Sequence, residues 1–182
     1  MSASDRAKRW PEVERRAGNR RVSPSRRTRE RRSGLDRRNE AAWTPVPVEE
    51  SDCSDEDLVA IARGAREHAQ AHYSGFKVGA VLEAADGTLF PGCNIENATY
   101  GLTLCAERVA LVKALSEGHT AFARIAVVAD TADPTPPCGA CRQLLWEYCG
   151  DIAVVLGNLE RPIARYGLGA LLPLPFDRRL LK

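Results

Sequence analysis

Apolar and polar residues recur with two different periods over residues 52–182, and these periods predict a mixture of helices and strands. A helix is predicted to begin after Ser54, because Ser54 can cap it, acidic residues follow, and apolar residues then recur at helical spacing. Two more helices are predicted over residues 104–115 and 139–148. Short β-branched or alternating apolar runs predict strands at residues 78–84, 88–93, 124–129 and 152–156.

The order of these elements indicates an α/β fold. Asp86-Gly87 is typical of a hairpin turn, so the first two strands are expected to run antiparallel. The next two strands are apolar on both faces, as in strands that helices cover on both sides. A weaker strand candidate follows Leu156. We therefore expect a three-layer α/β/α sandwich around a mixed sheet of about five strands.

Charge divides the chain into two segments. Residues 1–50 contain 14 Lys+Arg and 8 Asp+Glu, whereas residues 51–182 contain 12 and 16. The first segment has one Leu, no Ile and no Phe, and it ends in a Pro-spaced stretch, so it cannot bury enough apolar surface to fold. We expect a disordered Arg-rich tail and linker at 1–50 and a folded domain at 51–182. The tail's charge would suit a weak contact with nucleic acid, but it carries no base-reading motif.

The apolar runs are all short. None approaches the roughly 20 residues of a membrane helix, and the N-terminus has no apolar stretch typical of a secretory signal. The sequence therefore predicts a cytoplasmic protein that does not enter a membrane. In such a protein, six cysteines indicate metal binding or catalysis before disulfides.

Three cysteines lie at the predicted starts of two helices. Cys105 precedes Glu107 by two residues, and Cys138 and Cys141 form a Pro-Cys-x-x-Cys motif. Free N–H groups at helix N-termini stabilise thiolates, and three thiolates suit zinc while leaving one tetrahedral position open. The pattern predicts a zinc site with Glu107 beside it as proton acceptor. Arg108 follows and could offset part of the negative charge of the thiolates.

Two other interpretations of these cysteines stay open. Cys93 or Cys149 could supply a fourth ligand and close the zinc site, which would then be structural. The thiols could also be buried without a metal. Two cysteine motifs at successive helix starts, separated by a strand, favour the catalytic site. Cys93 and Cys149 are then expected to be small buried side chains.

These motifs resemble the zinc-dependent cytidine deaminases. Cys-Ala-Glu at 105–107 and Pro-Cys-Gly-Ala-Cys-Arg-Gln at 137–143 are similar to the family's zinc signature. A first ligand that is Cys rather than His resembles the small homotetrameric enzymes that act on free nucleosides. Residues 73–80 and 92–98 are similar to the family's Tyr-Ser-x-Phe-x-Val-Gly-Ala and Gly-x-Asn-Ile-Glu-Asn-Ala motifs, and the resemblance covers residues 54–182.

The resemblance implies zinc-dependent deamination of cytidine or deoxycytidine in pyrimidine salvage, by a catalytic domain at residues 51–182. Zinc would be held by Cys105, Cys138 and Cys141. Glu107 would take a proton from the water that attacks C4 and then pass protons to N3 and to the departing amine. Further residues are expected at the nucleoside: Asn94 and Glu96 at the ribose, Phe76 and the Ala106 N–H at the base, and Phe176 over the base of a neighbouring subunit in a homotetramer.

Two alternative functions stay open beside this one. The first is a deaminase for a cytosine-containing antibiotic such as blasticidin S, and the second is a zinc-stabilised module whose tail binds nucleic acid. Glu107 favours an enzyme over the module. Asn94 and Glu96, two residues apart on an extended segment, face the same way and suit a plain ribose, which favours a nucleoside over the antibiotic.

Overall fold

The structure is a computed structural model that describes residues 53–181. Its first element is helix α1 (Asp55–Arg66), which begins after Ser54 as predicted. The Ser54 hydroxyl accepts a hydrogen bond from the Asp57 N–H at 3.1 Å, and the Asp57 carboxylate accepts one from the Ser54 N–H at 3.0 Å. This reciprocal capping fixes the start of the helix. The predicted tail, residues 1–50, lies outside the described residues.

A mixed five-stranded sheet forms the middle of the fold. Its strands are β1 (Val78–Ala84), β2 (Leu89–Cys93), β3 (Phe122–Ala129), β4 (Ala153–Gly157) and β5 (Pro162–Gly167). They are ordered β2-β1-β3-β4-β5 across the sheet. The β3–β4 pair is parallel and the other three pairs are antiparallel. The weak strand candidate after Leu156 is therefore a real strand, β5.

Three further helices and two 3₁₀ turns complete the described chain. They are α2 (Ala106–Ser116), α3 (Gly139–Cys149), the short α4 (Leu168–Leu171), and the turns Tyr100–Leu102 and Arg178–Leu181. Helix α2 begins two residues later than predicted, because Leu104 pairs with Ile95 in an isolated bridge and Cys105 is the N-cap. None of the helices in residues 53–181 has the length and apolar character needed to cross a membrane.

Two apolar cores lie on opposite faces of the sheet. On one face α1 packs through Leu58, Val59 and Ala62. On the other face α2 and α3 pack through residues such as Leu111 and Leu145. Successive strand residues point to opposite faces, so β1, β3 and β4 each supply both cores. This arrangement confirms the predicted three-layer α/β/α sandwich. The strand residues of the α1 core are Val81, Ala126, Val128 and Val155.

Two glycines allow the helices to approach the sheet closely. A Cβ atom on Gly92 of β2 would lie 2.5 Å from the Ala106 carbonyl oxygen and 2.6 Å from the Ala110 nitrogen, both in α2. A Cβ atom on Gly79 of β1 would lie 1.9 Å from the Ala62 carbonyl oxygen in α1. Because no side chain fits at such distances, these glycines determine how close each helix lies to the sheet.

Candidate active site

Three thiols converge at the N-termini of α2 and α3. Cys105 and Cys138 are the N-cap residues of the two helices, and Cys141 lies in the first turn of α3. The Sγ atoms of Cys105 and Cys138 are 3.9 Å apart, and all three sulfurs lie within 4.8 Å of one another. Neither N-cap thiol makes a capping hydrogen bond to its own helix, so the positive ends of both helices remain available to stabilise thiolate charge.

The thiol cluster has the donor set and the spacing of a zinc site. Tetrahedral zinc with Zn–S bonds of about 2.3 Å places its sulfur ligands about 3.8 Å apart, close to the separation of Cys105 and Cys138. Cys141 is fully buried, Cys105 is partly buried and Cys138 is exposed. The cluster is therefore approached from the side of Cys138, and the fit supports a metal with one open position.

Cys93 and Cys149 do not join this cluster. Within residues 53–181, the one group of three or more side chains placed to ligate a metal is Cys105, Cys138 and Cys141. Burial raises the pKa of the Cys149 thiol to about 12 and raises that of Cys93. Both thiols therefore stay protonated at neutral pH, and the geometry does not favour a closed four-cysteine site.

The protonation of the cluster is uneven. A hydrogen bond from the Cys141 thiol, with a further one from Cys138 and the charge of Arg108, lowers the pKa of Cys105 to about 6 against the opposing effect of burial. The pKa of Cys141 is raised, because its thiol bonds to Cys105 and lies buried. Of these two thiols, Cys105 therefore loses its proton more readily and Cys141 holds its proton more tightly.

Arg108 places a permanent positive charge against the cluster. Burial opposes that charge, but the Cys141 and Cys105 sulfurs outweigh it and raise the pKa of Arg108. Its Nε atom is buried and has no hydrogen-bond partner in the described part of the chain. The guanidinium interacts with all three cysteines, so the start of α2 supplies both a candidate ligand, Cys105, and a counter-charge.

Glu107 is a buried carboxyl beside the thiols. It is only 4% exposed, and burial raises its pKa to about 7. A hydrogen bond with the Cys141 thiol joins it to the cluster. A carboxyl that titrates near neutral pH can accept and return a proton, which suits general acid–base chemistry.

A second group of predicted residues lies on an extended segment after β2. Ile95 exchanges two backbone hydrogen bonds with Leu104, each 2.9 Å long. On the other side, Gln70 donates to the Asn94 carbonyl and accepts from the Glu96 N–H. The segment is therefore clamped between two others and is not a solvated turn. It is also tied to the residue that precedes Cys105.

The Asn94 and Glu96 side chains hold the loop that carries Phe76. Asn94 Nδ2 donates to the Phe76 carbonyl at 2.9 Å, and Asn94 Oδ1 accepts from the first N–H of β1 at 2.8 Å. Glu96 accepts from the Ser74 hydroxyl and from the N–H groups of Tyr73 and Ser74. These bonds, led by that of the Ser74 hydroxyl, lower the pKa of Glu96. This structural use was not predicted, because the partners lie before β1 in the chain.

The other predicted residues differ in burial. Ala106, the first residue of α2, is fully buried. Phe76 is 43% exposed and Phe176 is 57% exposed, so Phe176 does not fill the core of its own chain. Phe76 lies with Asn94 and Glu96, whereas Phe176 is held through its backbone carbonyl by Gln143 of α3. The sequence assigned no role to Gln143, although it lies in the cysteine motif.

Comparison with known proteins decides the family. The family model for the cytidine and deoxycytidylate deaminase zinc-binding region matches residues 53–157. The chain belongs to the cytidine deaminase family. This confirms the predicted resemblance, and it agrees with zinc as the cofactor and with the α/β deaminase fold. It also sets aside the alternative of a binding module without enzymatic chemistry.

Several cytidine deaminases are similar over most of their own length. The cytidine deaminase of Halalkalibacterium halodurans is 55% identical over 117 residues, which cover 64% of this chain and 89% of the relative. That of Sporosarcina psychrophila is 50% identical over 124 residues, which cover 68% and 91%. The crystal structure of a cytidine deaminase from Burkholderia pseudomallei has a TM-score of 0.64 at 50% identity, covering 65% of this chain and 96% of that one.

The blasticidin-S deaminase of Bacillus cereus is a more distant relative. It is 29% identical over 109 residues, which cover 56% of this chain and 77% of the relative. Within the deaminase family, the chain is thus more similar to these cytidine deaminases than to the antibiotic deaminase.

Proposed function

We propose that this deaminase converts cytidine and deoxycytidine, with water, to uridine and deoxyuridine, releasing ammonia. The observation that carries the proposal is the cluster of three thiols with the buried Glu107 beside it, in a chain 50–55% identical to two cytidine deaminases. Such a reaction serves pyrimidine salvage. The cytoplasmic location and the boundary between residues 50 and 51 stay predictions.

Each part of the thiol cluster has a role in this proposal. Cys105, Cys138 and Cys141 hold the zinc. When bound, zinc acts as a Lewis acid that lowers the pKa of water and supplies the nucleophile near neutral pH. Glu107 accepts one proton from the attacking water at its carboxylate and donates it to N3 of the pyrimidine as the C4–O bond forms. It then accepts the second proton from the new C4 hydroxyl and donates it to the amine, which leaves as ammonia when the C4–N bond breaks. Its pKa of about 7 suits both directions of transfer.

Arg108 and the two helix ends balance the charge of the ligands. Three thiolates outweigh the charge of a divalent cation, and excess negative charge would weaken it as a Lewis acid. The Arg108 guanidinium lies against the sulfurs, and the positive ends of α2 and α3 face them. We infer that this balance keeps the site electrophilic.

The nucleoside is proposed to lie against Phe76, Asn94, Glu96 and the Ala106 N–H. An Asn amide nitrogen has two hydrogens, and the Phe76 carbonyl uses one of those of Asn94. A carboxylate offers about four acceptor positions, of which Tyr73 and Ser74 fill three at Glu96. One donor and one acceptor therefore remain for sugar hydroxyls.

The proposed assembly is a homotetramer in which Phe176 of one subunit covers the base bound by another. The Phe176 ring is 57% exposed, and large apolar side chains such as Tyr100 and Leu102 are 75% and 65% exposed. Closed assembly would bury them. Light scattering should give about 80 kDa, four times the 19.9 kDa chain. A fully active monomer would contradict this assembly.

One ultraviolet assay tests the activity. The purified, zinc-loaded full chain is given cytidine, deoxycytidine and blasticidin S in separate reactions, and the loss of cytosine absorbance and the ammonia released are followed. We expect turnover of both nucleosides and little of blasticidin S. Faster turnover of blasticidin S would favour the antibiotic deaminase, and no turnover of either nucleoside would overturn the proposal.

A further inference from the structure

The segment between α4 and the last 3₁₀ turn, residues 172–177, has no regular secondary structure. Pro173 and Pro175 have no N–H to donate, and Leu174 has a left-handed φ of 56°. The path of this segment therefore depends on contacts from other elements. Phe176, which lies in it, is the residue whose ring is proposed to cover a substrate.

One face of α3 supplies those contacts. Gln143 Nε2 donates to the Phe176 carbonyl oxygen at 2.5 Å. Trp146 hydrogen-bonds with its side chain to the Asp177 carboxylate. Gln143 and Trp146 are three residues apart, so they lie on the same side of the helix. The chain at Phe176 and Asp177 is thus held by the helix that carries two of the thiols.

Arg142 joins the same segment to the thiol cluster. Its Nε donates to the Pro137 carbonyl at 2.7 Å, and its Nη1 donates to the Leu171 carbonyl at 2.7 Å. Pro137 directly precedes Cys138, and Leu171 ends α4 just before the segment. Because the guanidinium is planar and rigid, it sets the separation of these two carbonyls.

Asp177 fixes the far end of the segment. It is 8% exposed and accepts hydrogen bonds from the Arg179 N–H and guanidinium as well as from Trp146. These bonds, led by that of the Arg179 side chain, hold the pKa of Asp177 at about 2, so the carboxylate stays charged. An aromatic ring that is more than half exposed is therefore carried on a backbone anchored on either side.

We propose that Gln143 is a positioning residue for substrate binding. Through its bond to the Phe176 carbonyl it sets where the Phe176 ring is presented, and Arg142 keeps that ring in register with the loop before Cys138. This inference rests on the proposed function, in which the ring covers a bound base. Gln143 acts through Phe176, so its loss weakens binding of the nucleoside and leaves the chemical step unchanged.

The test is the Gln143→Met variant of the full chain, which keeps the length of the side chain but loses the donor. We expect KM for cytidine to rise by about 3- to 10-fold, as for one lost hydrogen bond, with kcat and zinc content unchanged. Glu147→Gln, at an exposed position of the same helix, is the matched control and should keep the wild-type KM.

A double variant separates positioning from a general structural role. If Gln143 acts through Phe176, the Gln143→Met/Phe176→Ala chain should have the same KM as Phe176→Ala alone. A KM in the double variant that rises by the product of the two single increases would overturn the inference. So would a wild-type KM in Gln143→Met when Phe176→Ala raises KM. Gln143→Glu, which accepts where Gln donates, and Arg142→Lys should raise KM too, and they replace Gln143→Met if that chain fails to fold.

The outcomes also separate this inference from the function on which it rests. No turnover of cytidine by the wild-type chain would mean that the proposed function is wrong. Normal turnover with an unchanged KM in Phe176→Ala would leave the activity standing and remove the covering role of Phe176, and the positioning role of Gln143 with it.

Discussion

Three residues at the start of α2 have pKa values shifted by their surroundings. Cys105, Glu107 and Arg108 lie within four positions, yet the pKa of Cys105 is lowered, that of Glu107 is raised to about 7 and that of Arg108 is raised. Each state depends on the neighbours, because burial alone would disfavour all three charges. Substitutions here should therefore change the chemistry more than the fold.

The Glu107→Gln variant tests the proton acceptor. It keeps the size of the side chain and removes its ability to take a proton, so we expect kcat to fall by about 10²–10⁴-fold with zinc retained. Activity and metal content are measured on the same preparation. Glu117→Gln, at the exposed end of the same helix, makes the same change of charge and should stay active. Near-normal turnover by Glu107→Gln would refute the role of this carboxylate.

Cysteine substitutions test the metal ligands. Cys138→Ala should lose most of its zinc and unfold at a lower temperature, because metal binding adds to the stability of the fold. A loss of 1 kcal/mol corresponds to about 4 °C in Tm, and we expect at least that. The control is Cys93→Ala, which removes a thiol outside the cluster and should keep one zinc per chain. Equal zinc loss in both variants would indicate a four-cysteine site instead.

The sequence predicted the chemical residues better than their supporting contacts. Cys105, Cys138 and Cys141 were identified because short motifs at helix starts carry their ligand chemistry, and the fold brings them together as expected. The hydrogen bonds by which Asn94 and Glu96 hold the loop of Tyr73 and Phe76 were not predicted, because these partners come together only when two distant loops pack against each other. The spacing of residues within one segment does not indicate such a contact between distant loops.

At the scale of elements, the contact of β2 with α2 controls the position of the thiol cluster. Gly92 allows this contact, and Cys105 lies one residue before the point where the helix touches the strand. Moving α2 outward would separate Cys105 from the two cysteines of α3. The packing of one strand therefore bears directly on metal binding.

The Gly92→Ala variant tests this dependence. Its Cβ atom would lie 2.5 Å from a backbone oxygen of α2, so the helix must shift, and overpacking of this kind costs about 1–3 kcal/mol. We expect lower stability in denaturant and weaker zinc binding. Gly64→Ala in α1 is the control, because nothing lies within 4 Å of its Cβ and it should stabilise the helix by up to about 1 kcal/mol. Full zinc affinity in Gly92→Ala would show that α2 is held by other contacts.

The elements themselves were largely predictable, and their ends were less so. Strong apolar periodicity gave β1 with its observed bounds, and the other predicted ends lie within two residues of the observed ones. The predicted start of α2 is too early, because Leu104 continues the apolar period of the helix although its backbone pairs with Ile95. The strand β5 had only a weak pattern, and its antiparallel pairing with β4 defines it.

At the scale of the whole molecule, the chain combines a basic segment at residues 1–50 with an acidic segment at 51–182. All the residues assigned to chemistry lie in the second segment, and α1 has its own cap at Ser54. Two parts with such different composition are expected to work independently of each other.

A truncation that removes residues 1–50 tests this independence. We expect unchanged zinc content, Tm and deamination, because no residue of the proposed site is removed. The full chain and the truncated chain are also compared for binding of DNA at low and high salt. Salt-sensitive binding by the full chain alone would indicate a nucleic-acid contact by the tail. A collapse of activity in the truncated chain would show that the tail supports the fold.

The placement of the ligands on two helices has a consequence for how the chain reaches its fold. A metal shared by Cys105 and Cys138 joins residues 33 positions apart and encloses β3, the middle strand of the sheet. Closing a loop of that length costs the unfolded chain roughly 3 kcal/mol of entropy. If the metal ion binds the two cysteines before the sheet forms, that entropy is lost before β3 pairs with β1 and β4. A metal bound that early would act first as a template for refolding and afterwards as the cofactor.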